Sequence, residues 1–179
     1  MSRIVRRIHQ AGAYFITAHT WQRREIFRQE NVANIVIRQL ASCRDRGFYR
    51  LYEFVLMPDH LHVLLTPGET TSLEKAVQMI KGGSSRTISQ ALHYHCPVWQ
   101  LGFHDRWIRD SREYVGCRNY IRANPVKARL VDSQEQFQWS SANGSINLDP
   151  TKFENLQGLK PLSLAELDVA VETATHKPS

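Results

Sequence analysis

The spacing of apolar positions changes along the chain, and each change marks an element. Gly12 to His19 (GAYFITAH) concentrates aromatic and β-branched residues and predicts a strand. From Gln29 to Arg46 apolar residues fall at Val32, Ile35, Val36, Leu40 and Cys43. That spacing predicts a helix with Arg38, Arg44 and Arg46 outward and Gly47 as its stop. Tyr49 to Met57 (YRLYEFVLM) predicts a second strand, Pro58-Asp59 a turn, and His60 to Thr66 the returning arm of a hairpin. Ser72 is the expected N-cap of a second helix reaching about Leu92, with Leu73, Ala76, Val77 and Ile80 as its apolar stripe. Gly82-Gly83-Ser84-Ser85 is expected to break or kink it.

Residues 93–109 show no period and are expected to be irregular. Asp110, with Glu113 three residues on, opens a third helix as a variant capping box. Pro125 is expected to end that helix at Asn124, since the residue before proline avoids the helical region. A short segment, Val126 to Val131, follows. From Phe137 the chain reads as loop, with a small helix from Ser163 and six disordered residues at the end.

The 179 residues, 42% of them hydrophobic, suit one domain with an appended tail. The division expected is 1–140 for the domain and 141–179 for an extension. A net charge of +6 suits a polyanionic partner, although a solvated basic surface accounts for the charge equally well. Cys43, Cys96 and Cys117 form no CxxC pair, which argues against a disulfide scaffold or a zinc ribbon and fits a reducing cytoplasm. The N-terminus is too charged for a signal peptide, and no apolar run approaches the length of a membrane span. Asn143-Gly144-Ser145 matches a glycosylation sequon but reads as a turn.

Candidate chemistry begins in MPDHLHVLL, Met57 to Leu65. Residues two apart on a strand share a face, so His60 and His62 point the same way while Leu61 packs on the other side. Two adjacent imidazoles are either half of a metal site or a hydrogen-bonded structural pair. On the third helix Tyr120 and Asn124 are four apart and lie one turn from each other on one face. Geometry alone leaves them open to a bland reading, a partly buried tyrosine and a helix terminator.

Both segments together resemble a known family. HLH in MPDHLHVLL, followed by DRWIRDSREYVGCRNYIRANPVKARLV over 105–131, is similar to the signature of the REP-associated tyrosine transposases. These are single-tyrosine relatives of the HUH transposases, in which U is a bulky apolar residue, here Leu61. The resemblance covers roughly residues 10–140. It implies an α/β (α+β) sandwich of the ferredoxin-like HUH nuclease type: a central antiparallel sheet flanked by helices, the HUH strand interior and Tyr120 facing it. It implies a divalent ion, Mg²⁺ or Mn²⁺, held by His60, His62 and Asn124; relatives often carry Gln at the third position. It places the nucleophile at Tyr120, with Tyr114 as the rival hydroxyl at the wrong spacing from the NPVK element. The implied substrate is single-stranded DNA bearing a REP-type hairpin, cut through a 5′-phosphotyrosine linkage, by a monomer or a homodimer.

Further candidate DNA contacts are the basic arm Arg3, Arg6 and Arg7, the cluster Trp21, Arg23 and Arg24, and Lys81, Arg86, Arg106, Arg109 and Lys127. A cation-and-aromatic mixture suits phosphate contact with base stacking. The Lys81-to-Arg86 run lacks the spacing of a nucleotide-binding loop, and a salt bridge explains Arg106 equally well. Two other readings stay open: a hairpin-binding protein that no longer cuts, and an unrelated HxH metal-dependent hydrolase.

Overall fold

The computed structural model describes residues 12–93 and 95–153. The expectations for Arg3, Arg6, Arg7 and the helix from Ser163 lie outside the described residues. Strands β1 (Tyr14–His19), β2 (Tyr49–Met57), β3 (His60–Pro67) and β4 (His104–Trp107) form one antiparallel sheet in the order β2-β3-β1-β4. Helices α1 (Glu30–Asp45) and α2 (Leu73–Leu92) cover one face, and α3 (Ser111–Lys127) covers the other. This is the expected α+β sandwich, and the HUH strand is interior.

Strand alternation sorts the side chains. Ile16, Ala18, Leu61, Val63 and Leu65 join the core under α1 and α2, while Phe15, Val55 and Leu64 join Tyr114, Cys117 and Ile121 of α3. Full burial of each valine, leucine, isoleucine or phenylalanine among them is worth about 1.5–3 kcal/mol. A bulge between Leu51 and Glu53 in β2 resets the alternation, so Tyr52 and Glu53 both turn to the α3 side. There Glu53, 2% exposed, accepts two hydrogen bonds from Arg122 of α3, at 2.6 and 3.1 Å.

Three local expectations need correcting. Residues 104–107 are not irregular: they form β4, an edge strand too short and polar to show a period, held by pairing to β1. The Gly82-Gly83 pair does not interrupt α2. A Cβ on Gly83 would stand 2.1 Å from Gln39 Nε2, so this glycine leaves room for the Gln39 amide, which donates to the Met79 carbonyl at 2.9 Å. Pro125 does not stop α3, which continues to Lys127. Proline lacks the N–H that would bond the Ile121 carbonyl, so the last turn loses one backbone bond. The turn is then closed by Leu130 N–H on the Pro125 carbonyl (2.9 Å) and Arg129 N–H on the Val126 carbonyl (2.9 Å). Arg129 takes the left-handed position, φ 56°, usually left to glycine in this capping motif.

The chain from Trp139 to Asp149, which crosses the expected boundary at 140/141, runs along the free edge of β2. Leu56 N–H donates to the Trp139 carbonyl, and Val55 bridges to Ser140. Asp149 accepts from Leu51 N–H at 2.7 Å and pairs with Arg44 at 2.8 and 3.1 Å.

Candidate active site

The Pro58-Asp59 turn delivers the chain into β3 with His60 and His62 both toward α3. Their ring centroids are 4.6 Å apart. His62 is buried, and its Nδ1 lies 2.9 Å from Oγ1 of Thr17, its register partner on β1. Burial pushes its pKa well below 6.5, and the nearby His60, His19 and Arg23 add to that, so the ring is a neutral imidazole. His60 Nδ1 lies 2.5 Å from Asp59 Oδ1. That contact is the main reason the Asp59 carboxyl is held below its ordinary range. Each ring thus has Nδ1 engaged. With the proton on Nδ1, the Nε2 lone pair is available, the arrangement that orients metal-binding histidines.

Helix α3 brings Tyr120 to this pair. Its ring is 5.3 Å from His62 at 69° and 5.9 Å from Phe15 at 86°. Both are edge-to-face geometries. The tyrosine is half-buried, whereas Tyr114 is 2% exposed and packed between Tyr52 and Phe153. Lys127 follows on the same helix, its Nζ 5.7 Å from the Tyr120 ring centroid. Asn124 donates from Nδ2 to the Tyr120 carbonyl at 3.1 Å, which leaves its amide oxygen as a hard donor on that helix face. Among the described residues no three His, Cys, Asp or Glu side chains form a metal-holding group. Two imidazole nitrogens with an amide oxygen are compatible with a divalent cation that keeps several waters.

A profile described as "Transposase IS200 like" matches residues 9–124, a stretch that holds His60, His62, Tyr120 and Asn124. The chain belongs to the IS200-like transposase family. Membership implies a DNA-cleaving enzyme. A protein of Haemophilus influenzae provisionally named REP-associated tyrosine transposase is 21% identical over 159 residues, covering 83% of this chain and 90% of that one. An uncharacterised protein of the same organism is 25% identical over 151 residues, covering 64% and 81%. A solved structure of a REP-associated tyrosine transposase bound to a REP hairpin superposes with a TM-score of 0.63 at 19% identity. The match covers 91% of this chain and 99% of that chain, and it shows the shared fold.

The other candidate DNA contacts of this transposase fall in three groups. Arg23 is exposed beside the histidines, 3.4 Å from Asp59, with Trp21 in the same short turn. Arg86 and Lys127 are exposed on α2 and α3. Arg24, Lys81, Arg106 and Arg109 hold protein groups: Arg24 the Pro97 carbonyl, Lys81 the Gln100 and Gly102 carbonyls, and Arg106 and Arg109 the Glu113 carboxylate. Sequence reasoning missed Thr17, Asp59, His19 and His104. His19 pairs with His60 in the sheet register, 5.6 Å ring to ring, and His104 stands 5.8 Å from His19. Burial, then Arg23, lowers the His19 pKa to about 4. Asp59 could have been found as the acidic neighbour of a ligand histidine, but the other three need the strand register. No helix among the described residues is long and apolar enough to cross a membrane.

Proposed function

We propose that this transposase is a metal-dependent single-strand DNA endonuclease and strand transferase acting beside a REP-type hairpin, with Tyr120 as nucleophile. One observation carries the reading: Tyr120, from a helix far downstream, lies edge-on against His62 at 5.3 Å. The hairpin substrate is suggested by the REP-associated proteins that the chain resembles.

His60, His62 and Asn124 are the residues that would hold the cation. Bound there, Mg²⁺ or Mn²⁺ supplies Lewis-acid charge to the scissile phosphate. Asp59 and Thr17 fix the two imidazoles through Nδ1. The edge contacts with Phe15 and His62 restrict the Tyr120 ring, so its hydroxyl meets the phosphate in one orientation. The Tyr120 oxygen forms a bond to phosphorus as the bond to the 3′-oxygen breaks. The phenol proton passes to solvent, and the departing oxygen takes up a proton to become a free 3′-OH. The phosphodiester energy is kept in the 5′-phosphotyrosine linkage, so a 3′-OH reseals the strand by the reverse attack.

Labelled hairpin DNA incubated with the protein and Mn²⁺ is expected to give an adduct that survives denaturation. Tyr120→Phe abolishes the adduct and retains binding; Asn124→Ala raises the Mn²⁺ concentration needed for half-maximal adduct. An adduct that persists in Tyr120→Phe and disappears in Tyr114→Phe would refute the nucleophile. Cleavage without an adduct would point to hydrolysis by His60 and His62, and binding without cleavage to a protein that only recognises the hairpin.

A further inference from the structure

Leu101 is 90% exposed, the most exposed large hydrophobic side chain among the described residues. A lone surface leucine is ordinary in itself. What sets this one apart is the loop that carries it. Arg24 Nη2 donates to the Pro97 carbonyl at 2.7 Å, and Trp21 N–H donates to the Val98 carbonyl at 3.0 Å. Trp99 bridges to Thr20, and its indole N–H donates to Ser84 Oγ at 3.0 Å. Gln100 N–H donates to the His19 carbonyl at 2.8 Å. Lys81 Nζ then clasps the carbonyls on either side of the leucine, Gln100 (2.8 Å) and Gly102. Gly102 takes φ 72°, the left-handed corner that turns the leucine outward.

Loop apices are ordinarily the mobile part of a fold. Here hydrogen bonds fix both flanks while the leucine side chain stays in water. Lys81 surrenders solvation to hold it, and burial lowers its pKa accordingly. The anchor points are Lys81 and Ser84 of α2 together with His19, Thr20, Trp21 and Arg24 at the strand end whose His19 faces His60, and His104 lies three residues beyond the leucine. The apex therefore stands on the rim of the candidate active site, on a chain of net charge +6 in a DNA-cleaving family. A polyanion with an apolar face that becomes exposed at a junction fits this surface: a DNA strand whose terminal or unpaired base has lost its stacking neighbour. Apolar side chains inserted beside a base step are a known means of holding unstacked DNA.

We propose that Leu101 is a wedge that packs against an unstacked base where the DNA hairpin gives way to the single strand to be cut. The inference rests on the hairpin-cleaving reading above and adds a residue that recognises the junction itself. Lys81 and Arg24 act as positioning residues for it.

The test uses the full chain carrying Tyr120→Phe, so that the DNA stays intact. The probe is a hairpin oligonucleotide with single-stranded arms and 2-aminopurine at the unpaired position next to its foot. An unstructured strand of equal length is the comparison. Binding to the hairpin is expected to raise the fluorescence severalfold. Leu101→Ser should abolish that rise and weaken hairpin binding about tenfold, leaving affinity for the unstructured strand unchanged, while Leu101→Phe retains both signals. An equal loss on the two DNAs, or no loss on either, overturns the wedge. Hairpin binding that ignores Leu101 removes the wedge and leaves the cleavage reading standing; no hairpin binding by the Tyr120→Phe protein removes both.

Discussion

Three donors converge on the carboxylate of Glu113: the Arg109 backbone N–H at 2.9 Å, the Arg106 guanidinium at 2.7 Å and the Arg109 guanidinium. Burial works to raise its pKa, but the hydrogen bonds and the Arg106 charge outweigh it, and the carboxyl sits below its ordinary 4.5. A carboxyl with a depressed folded pKa contributes stability above its unfolded pKa and loses it as pH falls through the folded one. Thermal stability is therefore expected to drop as pH falls below about 4.5, and Glu113→Gln should flatten that part of the profile in melts between pH 3 and 6. At this scale the sequence was informative where chemistry is local. His60-Leu61-His62 was legible because strand alternation alone puts two imidazoles on one side. Thr17 and His19 were not, because a partner across a ladder is set by register, which no single segment contains.

The element that matters most is α3. Its start was legible in Asp110, which accepts from Glu113 N–H at 2.9 Å as a capping side chain should. Its end was not, because Arg129 adopts a left-handed cap that its residue type does not advertise. Nor was its anchor: Arg122 meets Glu53 only after a bulge in β2 turns that carboxylate inward. Removing one partner of a buried ion pair typically costs 3–5 kcal/mol, whereas replacing both with apolar groups is often neutral. Because the Arg122 side chain is 34% exposed, Arg122→Met is expected at the low end, about 3 kcal/mol by urea denaturation, with Glu53→Leu/Arg122→Met recovering most of it. Arg122 lies two residues from Tyr120, so the single variant should also slow adduct formation more than it weakens DNA binding.

Across the whole molecule, the segment from Trp139 to Asp149 closes the β2 edge and ties it to α1 through Arg44. Asp149→Ala removes three hydrogen bonds at that edge, two from Arg44 and one from Leu51 N–H. It should lower stability by about 1–3 kcal/mol in chemical denaturation, since the Leu51 N–H is left without its acceptor. The hydrophobic periods marked the pieces in advance, two helices with apolar stripes, a hairpin of alternating residues and a capped third helix, an order compatible with the sandwich that the family resemblance implied. Periodicity is a property of a segment and survives in any packing. The short polar β4, the closed edge of β2, the edge-on contact of Tyr120 with His62, and the braced apex at Leu101 are relations between segments. They came into view only with the tertiary structure, because each depends on which strand lies beside which and on which face a helix lands.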